Sequence, residues 1–450
     1  KYSVFNVGND HDYFVSHEDR LSNEKIFHKV SQKCYLPTNK VILDLLNEHP
    51  EMRVSYSLSG VFIEQAEQFN PEVLDSFKRL VYTGRAEILD ETYHHSLSFL
   101  FSKDEFRHQV DLHRKKVEQH FGVQPKIFRN TELIYSNEVA KEVESMGYNG
   151  IIAEGVDHLL GWRSPNFIYK PSGSDNIKLL LKNYKLSDDI AFRFSNKGWN
   201  SHPLTAPTFA KWVSDHNGNG HVINLFMDYE TFGEHQWEDT GIFEFLHHLP
   251  TEVLKNPDNS FVTPSEAIER YPHSDEVDYP YYVSWADTER DLSAWLSNSI
   301  QKDAMAKIYA MEDEIKSTKD ELLIEDWRKL QTSDHFYYMC TKYFSDGDVH
   351  KYFNPYDTPY EAFITYMNIL SDLRHRLNLH GKINKEASPI ESEKAIKPKS
   401  HAKAVNSKIK EVSNTSIKAA RSTNTTKKTA TKRKKPTIKK TAVKRALTAK

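Results

Sequence analysis

The sequence predicts an α/β protein with a mostly parallel sheet, a helical subdomain after it, and a disordered basic tail. Three observations carry that prediction. Through the first 230 residues, short apolar runs alternate with helical stretches. From about 283 the strand-like runs stop, and 284–332 and 356–380 place apolar residues at three- and four-residue spacing. From 381 the chain becomes Lys, Ala, Ser and Thr, with too few large apolar side chains to offset the entropy of ordering.

Strand-like runs lie at 52–58, 86–89, 151–153 and 221–227. Helix-like segments at 71–82, 103–121 and 137–146 separate them, and Ser102 three residues before Glu105 suits a capping box. Repeated βα units place reactive groups at the carboxyl ends of strands. These boundaries divide the chain into an α/β barrel over 1–282, a helical subdomain over 283–380 and a tail over 381–450.

Charge is distributed unevenly. Residues 381–450 hold 21 Lys and Arg against 4 Asp and Glu, which leaves 39 basic and 59 acidic residues in 1–380. So acidic a body is poorly suited to nucleic acid, because phosphate contacts need cations. The tail alone has the composition for weak contact with nucleic acid or another polyanion, or for a simple solvated segment. Two cysteines, Cys34 and Cys340, make no disulfide framework and read as reduced thiols. No run of 18 apolar residues is present, so no membrane helix is expected and a cytoplasmic location is. Aromatic residues make up 12% of the chain, supplying core packing and also flat faces on which sugar rings stack.

Two segments place an acid where a strand ends. In Lys126-Ile127-Phe128-Arg129-Asn130-Thr131-Glu132, a short apolar run leads into Arg129, Asn130 and Glu132. In Val222-Ile223-Asn224-Leu225-Phe226-Met227-Asp228-Tyr229-Glu230-Thr231-Phe232-Gly233, a run suited to a buried strand leads into Asp228 and Glu230, and Gly233 then lets the backbone relax into a loop. Paired carboxylates facing one pocket are the minimum equipment for glycoside hydrolysis, and a separation of about 5–5.5 Å implies retention of configuration. Acids at strand ends also cap helices and pair with Arg, so spacing alone leaves both readings open.

The motif Asp-Tyr-Glu-Thr-Phe-Gly at 228–233 resembles the Asp-x-Glu-x-Phe-Gly signature of glycoside hydrolase family 57, closest to its α-amylase-like branch. Gly84-Arg85-Ala86-Glu87, Phe261-Val262-Thr263-Pro264-Ser265-Glu266-Ala267 and Ser284-Trp285-Ala286-Asp287 resemble further segments of that family, in the same order, and the likeness extends to about residue 378. The resemblance implies an incomplete (β/α)7-type barrel. The family's first segment, His-Gln-Pro, has no counterpart, and Lys1-Tyr2-Ser3-Val4 looks like the sequence just after it, so the first strand is expected to be truncated.

By that resemblance Glu132 is the nucleophile and Asp228 the general acid/base of a retaining hydrolase of α-1,4-linked glucans, starch or glycogen, needing no cofactor and no metal. Glu87, His95, Arg129, Glu230, His235 and Trp285 are the expected substrate-binding residues. Like charges at Glu230, Glu87 and Glu132 should favour protonated Asp228, and Arg129 should favour ionised Glu132. Trp237 is a second stacking candidate, and His94 reads as a core residue. Asp10-His11-Asp12 carries partial metal-ligand chemistry, but adjacent residues rarely converge on one ion. The expected partners are α-glucans or maltooligosaccharides. The alternatives are a 4-α-glucanotransferase or branching enzyme using the same carboxylates, an inactive glucan-binding homologue, and, more remotely, a metal-dependent deacetylase.

Overall fold

The computed structural model describes residues 7, 13, 14, 22–342 and 354–387. The Asp10–Asp12 triplet and the chain from 388 onward lie outside the described residues. Seven strands form within them: β1 (Val54–Ser57), β2 (Ala86–Leu89), β3 (Ile127–Arg129), β4 (Gly150–Glu154), β5 (Ile168–Pro171), β6 (Lys178–Lys182) and β7 (Asp275–Val277).

β1 and β2 pair in parallel, a parallel bridge from Asp90 to Phe128 joins β2 to β3, and β3, β4 and β6 continue in parallel. Beyond β6 the sheet splits. Its lower half pairs with antiparallel β5, which carries β7, while Lys182 bridges in parallel to Asn224. The helices Pro71–Tyr82 and Lys103–Phe121 have the expected limits, and Asn137–Ser145 stops one residue short.

The run at 221–227 departs from the expected buried strand. It makes a single bridge, at Asn224, and Leu225 is 37% exposed. Its other amides go to loop and helix groups, from His221 and Val222 to the Asn166 carbonyl (2.7 and 3.0 Å) and from Phe226 to the Ser187 hydroxyl (3.2 Å), and no described strand lies between it and β1. The tyrosine that follows Asp228 packs into that side instead: the Tyr229 ring meets Tyr56 of β1 edge-on at 5.4 Å, and its hydroxyl donates to Asn39. Among the described residues the barrel is therefore incomplete, with β1, β2, β3, β4, β6 and the run at 221–227 in sequence around it.

Period-two alternation stacks the interior in levels. Leu89, Ile152 and Leu180 form an apolar middle, closed from below by Ala267 and Ile268 of the helix Pro264–Arg270. Outward neighbours Phe128, Ile151, Leu179 and Leu181 join the large core shared with the helical region. Two residues above the apolar middle on the same inward face come Glu91, Glu154 and Lys182, with Arg129 beside Glu91. Charged side chains thus crown an apolar barrel at its carboxyl end.

From 293 the chain is helical: Ser293–Leu296, Ser299–Tyr309, Glu312–Thr318, Glu321–Lys329, Ser333–Tyr337 and Pro359–Ala387. Trp295, Trp327 and Tyr366 are buried against the barrel's helices. The expected capping box at Ser102 is half formed. Ser102 accepts from the Glu105 amide, but the buried Glu105 carboxylate turns away to Arg328 (2.9 Å) and Lys316 (2.7 Å) of the helical region. A buried carboxylate gains more from two cations than from one backbone amide, so docking outcompetes capping.

Candidate active site

Glu132 follows β3 in a left-handed backbone conformation (φ 57°), as does His95 after β2 (φ 48°). Such geometry costs about 1 kcal/mol or more in a residue with a Cβ, and persists only where surroundings enforce it. Here the Trp285 amide donates to the Glu132 carbonyl at 3.3 Å, and the Ser333 amide to the His95 carbonyl at 2.9 Å. The pinning turns both side chains toward one another.

The Glu132 carboxylate accepts from the Trp285 indole at 2.8 Å and the Ser333 hydroxyl at 3.0 Å, with His95 Nε2 at 3.4 Å. The other ring nitrogen of His95 lies 2.8 Å from Glu91, which also accepts from Ser57 at 2.6 Å. Burial works against the charge of all three groups, but their mutual attraction outweighs it. Glu132 and Glu91 are both held down to about 2, and His95 is pushed up to about 10. His95 is accordingly an imidazolium donating to two carboxylates. Arg129 Nη1, 3.4 Å from Nδ1, is then a like-charge neighbour compensated by Glu91 at 3.6 Å, not a hydrogen-bond partner.

The Trp285 ring is flanked by cations, with Arg129 5.3 Å and Lys182 5.0 Å from its centroid, and Phe226 packs on it at 5.9 Å. Phe226 leads directly to Asp228, so Trp285 links the Glu132 group to the Asp228 segment. Lys182 and Arg290 pair with Glu154, each at 3.5 Å, and reach Asp188.

Asp228 is exposed, and two residues on Glu230 accepts from the Tyr35 hydroxyl. Burial, then repulsion from Asp228, pushes the Glu230 carboxyl up. Asp334, on the helix Ser333–Tyr337, keeps part of its surface open to solvent. Burial and the charges of Glu132 and Asp228 push its carboxyl up to about 6.

Among the expected residues, His95, Arg129 and Trp285 gather at Glu132. Glu230 and His235 gather near Asp228, where the His235 amide donates to the Glu230 carbonyl at 2.8 Å. Glu87 is placed apart from both groups. Its carboxylate accepts from the amide and hydroxyl of Ser265, at the start of the helix that plugs the barrel floor. Four residues separate it from Glu91 on one strand face, about 13 Å along the strand, so it lies below the apolar level. Trp237 is half exposed, with Lys33 5.1 Å over its ring, and His94 is fully buried. The sequence reading missed Glu91, Lys182, Glu154, Ser333 and Asp334. Glu91 was accessible, since it shares a strand face with Glu87; Ser333 and Asp334 follow no strand and carried no local signal. Among the described residues no cluster of three or more His, Cys, Asp or Glu is placed to hold a metal ion.

The family model described as Glycosyl hydrolase family 57 matches residues 10–280. The chain belongs to that family. It is a glycoside hydrolase by membership, and the (β/α)7-type reading of its incomplete barrel holds. A protein of Methanocaldococcus jannaschii named "Putative alpha-amylase" is 46% identical over 368 residues, covering 79% of this chain and 78% of that protein. An alpha-amylase of Pyrococcus abyssi is 24% identical over 50% of this chain but only 35% of its own length. Among solved structures, a GH57 branching enzyme from Thermococcus kodakaraensis superposes with a TM-score of 0.63 at 15% identity, covering 89% of this chain and 92% of the other. A GH57-type branching enzyme from Pyrococcus horikoshii gives 0.61 at 16% identity, over 85% and 96%. At such identities these two structures speak for the fold alone.

Proposed function

We propose that this family 57 member hydrolyses α-1,4-glucosidic bonds of starch- or glycogen-type glucans with retention of configuration. Glu132 attacks the anomeric carbon as a carboxylate, and the bond to the leaving oxygen breaks as Asp228 donates its proton to that oxygen. Water then attacks the glycosyl-enzyme, giving its proton to Asp228 and freeing Glu132. The observation that carries this reading is the setting of Glu132, whose carboxylate accepts from Trp285 at 2.8 Å and Ser333 at 3.0 Å and faces His95 at 3.4 Å, a pairing that favours its charged form, while still 17% exposed. A nucleophile must be charged, oriented and reachable, and this carboxylate meets all three requirements. Trp285 offers a ring to the sugar, Asp334 and Lys182 offer polar contacts to its hydroxyls, and Arg129 acts through Glu91 and His95.

The domain limits proposed from sequence remain our reading, with two changes: the helix Pro359–Ala387 carries the helical region past 380, and that region contributes Ser333 and Asp334 to the site as well as packing against the barrel. A cytoplasmic location and weak polyanion contact through the tail are likewise proposed. No helix among the described residues is long and apolar enough to cross a membrane. The names of relatives favour a second reading, since proteins of Thermococcus litoralis and Thermococcus kodakarensis, each 23% identical, are named 4-alpha-glucanotransferase. Incubation with glycogen and with short maltooligosaccharides separates the two. Free reducing ends of α configuration, read by chromatography and proton NMR, support hydrolysis with retention. Redistributed chain lengths without new reducing ends mean transfer, and β products refute the double-displacement assignment.

A further inference from the structure

The loop that delivers Trp285 to the nucleophile is held in a strained shape. Within 284–291 two residues with side chains, Asp287 (φ 56°) and Arg290 (φ 53°), take the left-handed backbone conformation. Strain of that kind persists only where neighbours enforce it. The Ser284 amide closes the mouth of the loop by donating to the Arg290 carbonyl at 3.1 Å, and the Ser284 hydroxyl donates to the Asp291 carbonyl at 2.6 Å. Across the loop, the Arg290 guanidinium turns back and donates through Nη1 to the Trp285 carbonyl. The same guanidinium is anchored outside the loop. Nη1 lies 3.5 Å from the fully buried Glu154 at the end of β4, and Nη2 lies 3.7 Å from Asp188 on the helix Tyr184–Ala191. The group also packs over the Tyr184 ring at 4.9 Å. On its other side Trp285 meets Glu132 twice, by its amide to the carbonyl at 3.3 Å and by its indole to the carboxylate at 2.8 Å.

We infer that Arg290 is a positioning residue for the covalent step: its grip on the Trp285 carbonyl aims the indole N–H at Glu132. The inference rests on the reading of Glu132 as the nucleophile. A continuous line of contacts carries it, from Glu154 and Asp188 to Arg290, from Arg290 to the Trp285 carbonyl, and from the indole to the Glu132 carboxylate. Arginine suits the task because its terminal nitrogens diverge in one plane, so one serves the loop while the other is tied to Asp188. A lysine brings a single ammonium to all of these acceptors. Lys182 shares both acids with Arg290, at 3.5 Å from Glu154 and 3.7 Å from Asp188. Replacing Arg290 therefore leaves neither acid without a cation, and the effect falls chiefly on the loop.

The test compares Arg290→Lys and Arg290→Gln with the parent. Loss of one hydrogen bond to a charged group corresponds to about ten- to a hundredfold, so kcat/KM on a soluble maltooligosaccharide should fall by that factor in both variants. Trp285→Phe should fall at least as far, and adding Arg290→Lys to it should cost no more than about twofold further. Additive losses, or an Arg290→Lys protein that turns over like the parent, overturn the inference. A second readout needs no turnover. The indole N–H proton signal of Trp285, identified by its loss in Trp285→Phe, should move when Glu132→Gln removes the charged acceptor. In the Arg290→Lys background the same signal should not respond to Glu132→Gln. An equal response in both backgrounds overturns the inference whatever the activity. Full hydrolysis by Glu132→Gln, with the signal behaving as expected, would instead overturn the nucleophile reading and leave the coupling of Arg290 to Trp285 standing.

Discussion

Replacing His95 by Gln isolates the electrostatic centre of the site. The imidazolium lies 3.4 Å from Glu132 and 2.8 Å from Glu91. At an effective dielectric constant near 20, unit charges at about that distance attract by roughly 4 kcal/mol, or about three pH units at 1.36 kcal/mol per unit. Glu132, held at about 2 in the parent, loses its strongest stabiliser while burial still opposes its charge. With Arg129, Trp285 and Ser333 retained, the acid limb of kcat/KM should rise by about two to three units, to near pH 5. The assay is initial-rate hydrolysis of a soluble maltooligosaccharide from pH 3 to 9, with the parent flat at the acid end. The variant should also melt lower. The folded-state value of His95 is raised from 6.5 to about 10, so its contribution is complete below 6.5 and fades as pH climbs to 10. The melting-temperature gap should narrow across that window. The carboxylates behave oppositely: their values are depressed from 4.5 to about 2, so their contribution is complete above 4.5 and is lost toward pH 2. An acid limb unmoved in His95→Gln would refute the claim that His95 keeps the nucleophile charged.

Other perturbations separate the remaining parts of the account. Gly233→Ala forces a Cβ against the Lys33 carbonyl at a φ that disfavours side chains, so it should cost about 2–4 kcal/mol in denaturant unfolding, or displace the acid loop and lower kcat. Glu87→Gln should lower stability by about 1 kcal/mol, measured the same way, and leave kcat/KM within about twofold, because its partner Ser265 belongs to the floor of the barrel. Deleting 381–450 should leave turnover on soluble glucan nearly unchanged, since every residue assigned to the site precedes it; a large fall in rate would bring the tail into substrate handling.

What the sequence made legible follows from how far each signal reaches. Glu132 and Asp228 stood out because a run of apolar residues ending in an acid is a local pattern. The motif at Glu87 names a residue without its level in the pleat; the contact of Glu87 with Ser265, and of Glu91, four positions on, with Ser57 and His95, appear only in the fold. The run at 221–227 had a strand's composition, but strands need partners on the sheet, and composition says nothing of neighbours. Ser333 and Asp334 were out of reach for a different reason. They arrive from a helix more than 200 residues after β3, and nothing in Gln331-Thr332-Ser333-Asp334 marks a turn that inserts beside His95. The His95 bridge itself depends on backbone strain at 95 and 132, which no periodicity reveals.

The most direct measurement of the central claim is covalent trapping. Incubation with a 2-deoxy-2-fluoro or 5-fluoro maltosyl fluoride, followed by proteolysis and mass spectrometry, should find one glycosyl group attached through an ester to the peptide containing Glu132. Attachment to a different carboxylate, or no adduct in a preparation that turns over glucan, would contradict the assignment of Glu132 as the nucleophile facing Asp228.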